Sequence, residues 1–163
     1  MQVEAKITGL DGVLDTLRSL PPEIVSKRGG PVKSALRKGA LVIRDEWRRN
    51  EARVAATPNA DGSLPSTNLL QENIVATRGK APTGGKGERY LVRVKRKKYQ
   101  EGDATTLKSQ QLMEYGASDQ PAQPVIRPAV QAKGQQAIDT IIKTLNDGIQ
   151  RIVKKLAAQN KGR

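Results

Sequence analysis

The sequence predicts an α+β fold in which a small, mainly antiparallel sheet is packed by two long helices and one short N-terminal helix. Three observations predict it. Short stretches alternate apolar and polar residues with the period of two of a half-buried strand. Two long stretches repeat apolar residues at helical spacing. A length of 163 residues supports a single domain with a modest core. The domain is expected to span residues 1–158, with a basic, mobile hairpin near 78–100 and a disordered tail at 159–163.

The first strand is expected near residues 2–8, where Val3, Ala5 and Ile7 alternate with Glu4, Lys6 and Thr8. Leu10, Val13, Leu14 and Leu17 then place one apolar stripe on a short helix that Pro21-Pro22 ends. After Gly29-Gly30-Pro31, the residues Val32, Leu36, Ala40, Ile43, Trp47 and Val54 define a long helix over 31–54. Its other side carries Lys33, Arg37, Lys38, Arg44, Arg48 and Arg49. A loop over 55–67 leads to Leu69, Leu70, Ile74 and Val75, a patch that opens as a helical turn and runs into a strand over 74–78. Four glycines and a proline between 79 and 87 predict an exposed loop. Tyr90, Val92 and Val94 predict a strand over 89–96, and Leu112, Met113 and Tyr115 another over 111–116. Val130, Ala137, Ile138, Ile141, Leu145, Ile149, Ile152 and Leu156 trace the second long helix, over 128–157. At about 1.5 Å per residue it would overhang its domain unless Gly134 or Gly148 bends it.

Composition removes most catalytic chemistry. The chain has no Cys and no His, which excludes Cys/His zinc sites, iron–sulfur clusters, thiol nucleophiles and Ser-His-Asp triads. No apolar run reaches the roughly 18–20 residues that cross a bilayer, and the N-terminus lacks the pattern of an export signal, so a soluble protein used without export is expected. The loop Gly79–Gly87 resembles a phosphate loop only superficially: Lys80 stands where the first glycine must be, and Gly87 replaces the magnesium-binding hydroxyl. No cofactor, metal or catalytic residue is assigned, and the protein is read as a non-enzyme.

The net charge of +13 is distributed in blocks. Residues 27–53 carry nine basic and three acidic groups, residues 78–98 nine and one, and residues 143–163 six and one, whereas the stretches between them are mildly acidic. Such blocks suit a polyanion or an acidic partner as well as a solvated surface. Lys86, Arg89, Arg93, Lys95, Arg96, Lys97 and Lys98 are the candidate contact residues. Only Tyr90 and Tyr99 lie near them, and no helix-turn-helix or RNA-recognition signature is present. Glu114 is the one acid within an apolar strand-like context, where burial would raise its pKa. A structural carboxylate paired with an arginine is favoured over a catalytic one, because no nucleophile or metal cluster accompanies it.

Glu114-Tyr115-Gly116 followed by Ala122-Gln123-Pro124-Val125-Ile126-Arg127-Pro128-Ala129 resembles the "EFGT … AQPFLRPA" signature of the minor-tail, or tail-completion, family of long-tailed bacteriophages. Gly9–Leu17 is similar to that family's "GLDELLKAL" helix, and Thr67–Ile74 to its "TGNLRDSI" segment, in the same order. Asn68, Ala117 and Val125 depart from the usual Gly, Thr and Phe. The resemblance implies a virion protein that completes the tail and joins it to the head or neck. It would act as a homo-oligomeric, hexameric ring, made in the host cytoplasm, with the tail tube or terminator and neck or connector proteins as partners and no membrane, the basic 78–98 block meeting either genomic DNA without sequence preference or an acidic surface of an adjoining ring. The alternative is a non-specific nucleic-acid-binding protein that uses its basic hairpin and helix. The signature residues Glu114, Tyr115, Gly116, Pro124, Ile126, Arg127 and Pro128 are expected to be structural: the prolines hold the chain extended and start a helix, Ile126 plugs the core, and Arg127 pairs with Glu114.

Overall fold

A computed structural model describes residues 30–57, 68–80, 87–100, 102–119 and 121–161. Among these residues the chain forms α1 (Pro31–Ala55), α2 (Leu69–Asn73), β1 (Ile74–Arg78), β2 (Tyr90–Val94), α3 (Thr106–Tyr115) and α4 (Ile126–Lys161). The fold is mixed, mostly helical, with one two-stranded antiparallel sheet. The expected strand at 2–8 and the short N-terminal helix lie outside the described residues, whereas the disordered tail expected at 159–163 is corrected in part: residues 159–161 continue the helix α4, and only 162–163 lie outside the described residues.

Among the described residues α1 and α4 form the most extensive contact between elements. They run antiparallel: Pro31 meets Gly148, Gly39 meets Ala137 and Ile141, and Asn50 Nδ2 donates to the Val125 carbonyl at 3.1 Å. Two glycines on opposite helices make this approach close. A Cβ on Gly39 would lie 2.4 Å from Ile141 Cγ1 and 3.0 Å from the Ala137 carbonyl oxygen, and one on Gly148 would lie 2.4 Å from Pro31 Cβ. Gly148 therefore serves as a contact point and not as a bend. α4 is continuous through both Gly134 and Gly148, and its 36 residues span about 54 Å.

The sheet pairs Ile74 with Val94 and Arg78 with Tyr90. Its ladder continues at both ends, with Gly79 N–H donating to Arg89 O and Lys95 N–H to Asn73 O. The sheet packs on α1, and Arg48 fastens the two together, donating from Nε to Ile74 O and from Nη2 to Glu72 O, each at 3.0 Å. The core cluster is Trp47, Leu70, Ile74, Val94, Val125 and Ala129, with Val54, Val92, Met113 and Ile126 half-buried against it. α4 thus joins the core through its start, and otherwise packs on α1 instead of covering the sheet.

Residues 111–116 are not a strand: 111–115 belong to helix α3 and Gly116 is its C-cap. The Thr105 side chain caps this helix by accepting from Lys108 N–H. Its buried side is polar (Thr106, Gln110 and Glu114), whereas Leu107, Leu112 and Tyr115 face solvent. Gln110 points at α1, where its Oε1 accepts from Trp47 Nε1 at 3.2 Å.

Glu51, on α1 one turn from both Trp47 and Val54, is only 2% exposed. Its Oε2 has no hydrogen-bond partner, and burial pushes its pKa up to about 7. The folded chain therefore holds this proton more tightly than the unfolded chain, and the stability tied to it is lost as pH rises from about 4.5 through 7. The loss amounts to about 3 kcal/mol above neutrality. Chemical denaturation of Glu51→Gln across this range should show that fall removed. Thermal unfolding should separate two glycine substitutions. Gly39→Ala, which collides with α4, should cost about 1–3 kcal/mol. Gly134→Ala, with nothing within 4 Å of the added methyl, should gain up to about 1 kcal/mol from helix propensity.

Candidate functional site: a helix-start latch and a basic strip

Glu114 ends up beneath the start of α4. Its Oε2 accepts the backbone N–H groups of Val125 and Ile126, both at 2.9 Å, and its Oε1 accepts the N–H of Arg127 at 3.3 Å. Arg127 also turns back over α3, with Nε 3.0 Å from Glu114 Oε1 and Nη2 3.1 Å from the Glu114 carbonyl. A helix start leaves its first N–H groups without partners. Here one carboxylate from another helix takes three of them, and Pro128, the third residue of α4, has none to offer. The negative charge also sits at the positive end of the α4 dipole.

Burial alone would raise the Glu114 pKa. The N–H groups of Ile126 and Val125, then the Arg127 guanidinium and N–H, outweigh it and hold the carboxyl below its usual range. The expected Glu114–Arg127 pair is present, and the raised pKa expected from burial is corrected to a lowered one. The core plug is also corrected. Val125 is 1% exposed, whereas Ile126 is half-buried beside it, because Val125 is held at both N–H and carbonyl and its side chain turns inward. Gly116 closes α3 with φ of 78°, and Pro124 stays exposed in the connecting segment. The Arg127 guanidinium lies 5.6 Å from the centre of the Tyr115 ring. Tyr115 itself is 75% exposed. Leu112 lies one turn before it and Val130 one turn beyond Arg127, both exposed.

The basic candidates divide. Lys86 lies outside the described residues. Arg89 is exposed at the far end of β2, where the neighbouring Arg78 is neutralised by Glu88 in a two-pronged ion pair. Arg93, Lys95, Arg96, Lys97 and Lys98 are all exposed and form one continuous strip, with Val94 the only member turned into the core. The backbone of this strip is anchored. Thr106, fully buried, donates from Oγ1 to Lys95 O at 2.7 Å, accepts Lys97 N–H at 2.9 Å, and donates its own N–H to Lys97 O at 2.9 Å. Lys98 bridges to Thr105, and Tyr99 N–H donates to Ala104 O. Arg93 Nε donates to Thr77 Oγ1 at 3.2 Å. Sequence reasoning missed Thr105 and Thr106. The available signal was two hydroxyl residues ahead of a helix-forming run, which is a capping pattern.

Among the described residues no group of acidic or metal-binding side chains could hold an ion, and no helix is long and apolar enough to cross a membrane. The chain matches no protein-family model, no curated protein and no solved structure.

Replacing Glu114 by Gln should cost about 2–4 kcal/mol, since buried N–H groups lose a charged acceptor. The native carboxyl titrates below its unfolded value, so its contribution is present above about pH 4.5 and disappears as pH falls below it. Acid denaturation should show a shallower low-pH limb in the variant. Thr106→Val, which keeps shape and removes the hydroxyl, should lower stability by about 1–3 kcal/mol.

Proposed function

We propose that this protein is a structural subunit of a long-tailed bacteriophage virion, completing the tail and joining it to the head or neck as a member of a homo-oligomeric ring. The observation that carries this reading is the latch. The two halves of the resembling signature, Glu114–Gly116 and Pro124–Pro128, meet at one carboxylate and display Tyr115 and Arg127 on their outer side. Tyrosine and arginine beside exposed Leu112 and Val130 have the composition of a protein-contact hot spot. A ring of identical copies closes through head-to-tail contacts, and a rigid displayed patch supports such use. The role requires packing and charge, and no reaction is assigned to it.

The decisive experiment is deletion of the coding sequence from its phage or prophage, followed by electron microscopy of the lysate. Filled heads and unattached tails are the expected products, and normal virions would overturn the reading. Complementation with Tyr115→Ala, which removes an exposed ring without touching the Glu114 hydrogen bonds, should restore joined particles at least about tenfold less well than the unaltered chain.

A further inference from the structure

We infer that the strip Arg93–Lys98 binds the phosphodiester backbone of a nucleic-acid duplex without regard to base sequence. This goes beyond the assembly role and does not rest on it. Five of the six residues are exposed cations. Among the described residues, only Lys98 has a carboxylate near it, and that partner, Asp103, is itself fully exposed. Such a pair is weak and separates readily. Arg93, Lys95, Arg96 and Lys97 have no carboxylate partner at all among the described residues.

Two features select a nucleic acid over an acidic protein. The first is composition: protein interfaces are depleted in lysine and centred on aromatic or apolar anchors. Three of the five cations in this strip are lysine, and it exposes no apolar side chain of its own. The second is the anchoring by Thr106, which lays out the cations in advance so that little chain entropy is lost when a long anion docks. Extended chain over these residues covers about 17 Å, a length along which a duplex presents on the order of ten phosphates. A single strand is the poorer fit, because single-strand sites stack bases on presented rings. The nearby rings, Tyr90 and Tyr99, are half-buried. Lysines act as point charges toward phosphate, and phosphate contacts carry no base preference.

The test is fluorescence anisotropy of the full chain with a labelled random-sequence DNA duplex of about 30 base pairs, titrated with salt. Engagement of four or five phosphates predicts an affinity that falls roughly a hundredfold or more between about 50 and 200 mM salt. The variant Arg93→Gln, Lys95→Gln, Arg96→Gln, Lys97→Gln, Lys98→Gln should bind at least about tenfold more weakly, with most of the salt dependence gone. A control that neutralises Lys133, Lys143, Arg151, Lys154 and Lys155 on α4 removes the same charge and should retain most of the affinity. Absent or salt-insensitive binding by the unaltered chain overturns the proposal, and that measurement needs no variant. An undiminished strip variant, or an equal loss in the α4 control, also overturns it. Equal affinity for poly-glutamate would assign the strip to an acidic protein, and tighter binding of the single strand would remove the duplex. Loss of duplex binding leaves the assembly role standing, and normal virions after deletion leave duplex binding standing.

Discussion

A carboxylate removed from water is destabilising unless its lone pairs meet donors, and the first turn of a helix is destabilising when buried unless its donors meet acceptors. Glu114 and the start of α4 resolve each other's deficit. Much of the structure follows from where that meeting occurs. It sets the residue at which α4 begins, and Asn50 then ties the same point to α1 through the Val125 carbonyl. With one end fixed, the antiparallel run of α4 brings Ala137 and Ile141 to Gly39 and Gly148 to Pro31. The register of the long seam is thus set by hydrogen bonds at one end and by steric fit along its length.

The core is arranged around that seam in an uneven way. Apolar side chains from α1, α2, both strands and the approach to α4 share one cluster, yet polar groups penetrate it from two sides. Gln110 satisfies Trp47 Nε1 and leaves its own Nε2 unpaired, and Glu51 leaves Oε2 unpaired. Two of the three buried carboxyls among the described residues, Glu51 and Glu114, respond oppositely to their surroundings. Donors favour the ionised form of Glu114, and burial shifts Glu51 toward its protonated form. Away from both, α1 and α4 approach closely at Gly39, where a Cβ would have no room beside Ile141.

The elements with regular periodicity were legible in the sequence. α1, β1, β2 and the body of α4 fall within a few residues of their expected bounds, because most of their apolar positions follow the period of the element that buries them. The turn at Leu69 running into β1 was legible for the same reason. α3 was not. Its inward positions are Thr106, Gln110 and Glu114 and its outward ones include Leu107, Leu112 and Tyr115, so a reading that equates apolar with buried sees a strand. The Glu114–Arg127 pair was readable as a pairing of charges, but not the three backbone donors, which exist only once α4 has a start. For the strip, charge showed in the sequence, whereas its anchoring depends on one buried threonine twelve residues along from Val94.

β2 also separates two kinds of selective pressure. Tyr90, Val92 and Val94 turn toward the protein and Leu91, Arg93 and neighbouring Lys95 turn away, so alternate positions answer to different demands. A substitution at an outward position changes the surface potential and leaves the cluster around Ile74 as it was. A shift of pairing by one residue would exchange the two sets. It is opposed at both ends of the ladder, by the Arg78–Glu88 pair at one and by the Lys95–Asn73 hydrogen bond at the other. Surface charge on this hairpin can therefore drift under selection for a partner while the interior remains constant, which makes the strand a place where binding preference can evolve without repacking the core.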